Sequence, residues 1–139
     1  MLEELQRYHA TILDHLREMD ELTAQGEPPM SRLTATRLAL TRASRARTLL
    51  IERAQRELAG TIRPEEKRAL DALVAEGKNN LVVSAQHIGS WTLREIEKRW
   101  ADYCRASNEM RAAMRRRVAQ EAELVYPLLA RQVGAAQAA

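Results

Sequence analysis

Arg117 and Glu121 stand on a run of Ser107, Met110, Met114, Arg117, Glu121, Leu124 and Leu128, whose spacings alternate between three and four. Such spacing puts all seven residues on one helix face turned toward a core. A guanidinium and a carboxylate one turn apart on that face must pair or bind something, because an isolated buried charge is too costly to keep. His9 holds the equivalent place in Leu2, Leu5, His9, Ile12, Leu16 and Met19. These residues predict a polar patch inside a helical core. No other motif competes with it: there is no Gly-rich phosphate loop and no Gly-x-Ser-x-Gly turn. Cys104 is the only cysteine, which rules out an intramolecular disulfide and a four-cysteine zinc site.

The patch has to be positioned by helices. The first is expected from Leu2 to about Gln25, ended by Gly26-Glu27-Pro28-Pro29. Ser31 is a candidate cap for a second helix reaching about Ala59, with Leu33, Leu40, Ile51 and Leu58 inward and Arg37, Ser44 and Arg47 interrupting the stripe. Pro64 at a first helical position, followed by Glu65 and Glu66, starts a third that runs to about Ile88. Its inward set is Leu70, Leu73, Val74, Leu81, Ala85 and Ile88, with Gly77 and Asn79-Asn80 inside it. Thr92 with Glu95 is a capping-box pattern for a short helix over Leu93 to Arg99, and a last long helix covers about Ala101 to Arg131, with Pro127 near its end. The expected fold is all-α, an up-down-up-down four-helix bundle with a short extra helix between the third and fourth long helices. Residues 1–133 are expected to form the bundle and residues 134–139 a disordered tail.

Composition agrees with one helical domain. Of the 139 residues, 45% are hydrophobic and only 4% aromatic, with no Phe, so the core is aliphatic. The formal net charge is +3 but it is unevenly spread. Arg7 and Arg17 face Glu3, Glu4, Asp14, Glu18, Asp20 and Glu21 in the first helix. The second carries Arg32, Arg37, Arg42, Arg45, Arg47, Arg53 and Arg56 against Glu52 and Glu57. Attraction between neighbouring helices accounts for this division, and nucleic acid is not an expected partner because stacking aromatics are few. No apolar run reaches membrane-spanning length, and Met1 to Leu22 is too charged for a signal peptide, so the expected location is cytoplasmic.

The segment Arg115 to Leu129 (RRRVAQEAELVYPLL) resembles the last helix of hemerythrin-like proteins, and Leu5 to Ile12 (LQRYHATI) is similar to their first. The stretch from Ser90-Trp91-Thr92 to Trp100 and Tyr103 looks like the connection in a bacterial branch of that family. The resemblance implies a carboxylate-bridged non-heme di-iron centre held by imidazoles and acids. Carried over residue by residue, His9 fits a first-helix ligand, and Glu52 and Glu121 fit bridging acids. Thr48, Lys78 and Arg117 stand where histidines belong.

Lys78 and Arg117 would supply positive charge in place of metal, giving an internal polar cluster of His9, Glu52, Lys78, Arg117 and Glu121. The expected function is therefore a metal-free, non-catalytic, regulatory or protein-binding module without a cofactor. Its partner would be an unidentified protein, a second copy of the chain among the candidates. The alternatives are an atypical di-iron protein sensing oxygen or nitric oxide through His9, Glu52 and Glu121, and a basic nucleic-acid binder. Trp91 and Trp100 are expected to cover the end of the bundle, and form a partner surface if exposed. His15 reads as a surface residue, His87 as too far along the third helix to reach the patch, and Cys104 as a buried, inert thiol.

Overall fold

The computed structural model describes residues 1–138, and among them every regular element is helical. In chain order these are α1 (Leu2–Thr23), α2 (Met30–Leu58), α3 (Pro64–Ser90), the short α4 (Leu93–Lys98) and α5 (Trp100–Ala138). None is long and apolar enough to cross a membrane.

Local chemistry sets the boundaries. Pro28 and Pro29 stop α1 from continuing, and α2 begins at Met30, with the Pro29 carbonyl accepting from Leu33 N–H at 2.9 Å. Ser31, the expected cap, therefore lies inside the first turn. Pro64 opens α3, and the Arg63 backbone N–H donates to Glu66 Oε1 at 3.0 Å. The Thr92 hydroxyl accepts from Glu95 N–H at 3.3 Å and caps α4 as its pattern predicts. The last helix continues to Ala138 where a tail was expected from residue 134; alanine and glutamine are good helix formers and carry it past Gly134. Ala139 lies outside the described residues.

Packing divides the interior into layers. At one end Leu5, Leu50, Leu58, Leu70, Val125 and Leu129 form the largest apolar cluster. Ile12, Leu16 and Val118 form a second. At the other end Met19, Leu22, Leu33, Ile96 and Tyr103 pack together, with Trp91 and Trp100 against them. His9 falls between Leu5 and Ile12, and Glu121 between Val118 and Val125, so the polar patch is a layer between two apolar ones.

The second half of α3 departs from expectation. Leu70, Leu73, Val74 and Gly77 are buried, but Leu81, Ala85 and Ile88 are exposed. Helical spacing identified an apolar face correctly; beyond Gly77 that face borders a groove instead of a closed core.

Candidate functional site

Glu121 is the centre of the polar layer and is fully buried. His9 Nε2 donates to its Oε1 at 2.8 Å, and Arg47 Nη1 donates to the same oxygen at 3.0 Å. Arg117 Nε donates to Oε2 at 2.9 Å and its Nη2 to the Leu73 carbonyl at 2.8 Å. The Tyr126 hydroxyl hydrogen-bonds His9 Nδ1. With a ring proton on Nε2, Nδ1 accepts from Tyr126, so one chain of hydrogen bonds runs from the tyrosine through the imidazole to the carboxylate.

The electrostatics follow from this geometry. Burial pushes the Glu121 carboxyl upward, but the His9 hydrogen bond and the Arg47 and Arg117 charges outweigh it and hold it below the ordinary glutamate value of 4.5. Burial, helped by the Glu121 charge, pushes the Tyr126 hydroxyl up and keeps it a donor.

Three of the five residues expected in the cluster meet there: His9, Arg117 and Glu121. Glu52 and Lys78 do not. Lys78 is exposed and Gly77 takes the inward place beside it; Glu52 is half-buried beside the fully inward Ile51. Both corrections have the same cause: one residue along a helix turns a side chain by about 100°. Arg47 and Tyr126 join instead. The signal for Arg47 was present, since Leu33, Leu40, Arg47 and Ala54 repeat every seven residues. Tyr126 belongs to the Leu-Val-Tyr-Pro ending but stands off the inward stripe.

Gly77 explains itself here. A Cβ at that position would lie 2.6 Å from Arg117 Nη2, so α3 carries glycine where the guanidinium passes against its backbone.

The donor set does not suit a di-iron centre. One imidazole and one carboxylate meet, and both carboxylate oxygens already accept from cations. A metal ion at Glu121 would face two buried guanidiniums. Among the described residues no group of three or more His, Cys, Asp or Glu side chains converges.

The remaining candidates are occupied elsewhere. Trp91 meets Tyr103 edge-on with centroids 5.6 Å apart, and Trp100 stacks on the same ring at 5.8 Å while its indole N–H donates to the Gln25 carbonyl at 2.9 Å. His87 stacks on Tyr103 from another side, and burial pushes its imidazole down. His15 is half-buried near Glu18. Burial pushes the Cys104 thiol up, which favours the unreactive protonated form. Of the α2 arginines, Arg32 pairs with Glu18, Arg53 with Glu57, and Arg37 donates to the Trp91 carbonyl.

Comparison with protein-family models, with curated proteins and with solved structures gives no match.

Proposed function

We propose that this chain is a metal-free, non-catalytic binding module with a regulatory role, built as a hemerythrin-like up-down-up-down bundle whose interior is held by ion pairs. The observation that carries the reading is the saturation of Glu121, whose two carboxylate oxygens accept from His9, Arg47 and Arg117. Two guanidiniums do the charge balancing that cations do in a bridged metal centre. Support for the bundle topology comes from the largest apolar cluster, which joins the starts of α1 and α3 to the ends of α2 and the inward turns late in α5. Non-catalytic action is favoured because the buried imidazole and carboxylate are bonded to each other, leaving neither free for a substrate.

The reading is tested by anaerobic loading with ferrous iron followed by exposure to air. The expected visible spectrum has no oxo-bridge absorption, and added nitric oxide produces no iron-nitrosyl bands. Stoichiometric oxo-bridged iron bound through His9 and Glu121 would overturn it.

A further inference from the structure

The polar layer leaves a surplus of positive charge on one side. Glu121 supplies one negative charge to two guanidiniums, and three buried donors next to it have no hydrogen-bond partner: Arg47 Nε, Arg117 Nη1 and the Ser44 hydroxyl. Arg47 and Arg117 are each more than nine-tenths buried, at 8% and 7% exposure. Native proteins rarely leave such donors unsatisfied, and an ordered water, an ion or a polar ligand head completes them.

All three residues line one cavity of about 270 Å³ between α2, α3 and α5. A second cavity of about 250 Å³ adjoins it, sharing Ser44, Leu81, Ser84, Met110 and Met114. The second continues between Leu40, Ala85 and Ile88, the face of α3 that was expected to be core. Together they make a groove whose inner end holds the unpartnered donors of Arg47 and Arg117. Its outer limb has mainly apolar walls that also carry Arg37, Arg45 and Arg111, of which Arg37 donates to the Trp91 carbonyl and Arg111 pairs with Asp20. Glu76 is the only acidic residue lining either space, and it is exposed.

We propose that this groove binds a small amphiphilic monoanion, a medium-chain carboxylate, with its head at Arg47, Arg117 and Ser44 and its hydrocarbon tail along Leu81, Met110 and Met114. The guanidinium donors left free are one from each arginine, Arg47 Nε on α2 and Arg117 Nη1 on α5, and two single donors converging from opposite helices suit the two oxygens of one planar carboxylate. At roughly 30 Å³ per water-sized group, the outer limb holds on the order of eight such groups, which fits an acyl chain of octanoate to decanoate length. Apolar walls with a few convergent polar groups are the usual make-up of a small-molecule site. The inference rests on the reading of the chain as a binding module and names its ligand class.

Calorimetric titration of the full chain with decanoate tests it, with decanol, decyl phosphate and acetate as comparison probes. Saturable decanoate binding is expected, at least tenfold tighter than any of the three. Leu81→Asp changes an exposed position and sets a negative charge at the junction of the two cavities; it should weaken decanoate at least tenfold while leaving the melting temperature near wild type. Ala85→Trp, also at an exposed position, fills the outer limb and should weaken it comparably. Absence of saturable decanoate binding, equal binding of decanol, tighter binding of decyl phosphate, or indifference to both substitutions would overturn the proposal. Iron content measured on the same sample keeps the two claims apart: failure to bind decanoate by a chain free of iron removes the ligand and leaves the metal-free reading standing.

Discussion

Glu121 is the residue on which the interior depends. A fully buried carboxylate is tolerable only because three donors from α1, α2 and α5 converge on it. Glu121→Gln keeps the shape and removes the charge, leaving Arg47 and Arg117 without a counter-ion. Removing one partner of a buried pair costs about 3–5 kcal/mol, and a loss of that order is expected in denaturant unfolding at pH 7. The effect carries a pH signature. The folded-state carboxyl is held below its ordinary value of 4.5, so its stabilising contribution is fully present above that value. It is lost as pH falls through the lower, folded value. The gap between wild type and Glu121→Gln should therefore be constant at neutral pH and narrow below about pH 4.5. A gap that widens on acidification would contradict the pairing. His9, Arg117 and Glu121 were legible in the sequence because each breaks an apolar stripe. Glu52 and Lys78 came from family resemblance, which fixes register less tightly than periodicity does; in both cases the inward residue is the one before.

At the scale of the elements, α3 and α5 are fitted to each other through Gly77 and Arg117. Glycine within a helix ordinarily costs about 1 kcal/mol relative to alanine. Here an added Cβ meets Arg117 Nη2 at 2.6 Å. That guanidinium is held by Glu121 and the Leu73 carbonyl and has little freedom to withdraw. Gly77→Ala should therefore destabilise the wild-type chain despite its better helix propensity. In an Arg117→Met background, where the forked group is gone, the same change should stabilise by about 1 kcal/mol. Thermal melts of the four proteins measure this sign reversal, and an equal effect in both backgrounds would show that Gly77 is not there for Arg117. Sequence reading located all five helices, because prolines, glycines and a capping threonine mark their ends. It misjudged what covers α3: Leu81, Ala85 and Ile88 have core spacing, but periodicity reports that a face is apolar and not that another element closes over it.

For the molecule as a whole, cohesion comes from apolar layers and one ion-pair layer, with a groove left open beside it. The Trp91, Trp100 and Tyr103 cluster closes one end, and aliphatic packing around Leu70 and Leu129 the other. The proposed metal-free reading implies folding that does not depend on a metal ion. The most direct test is metal content and thermal unfolding of the full chain, purified from iron-supplemented cells without a metal-affinity tag, before and after exhaustive chelation. Far less than one iron, manganese or zinc per chain is expected, with a cooperative melt at the same temperature in both samples. Close to two irons per chain, with a marked fall in melting temperature once they are removed, would contradict it.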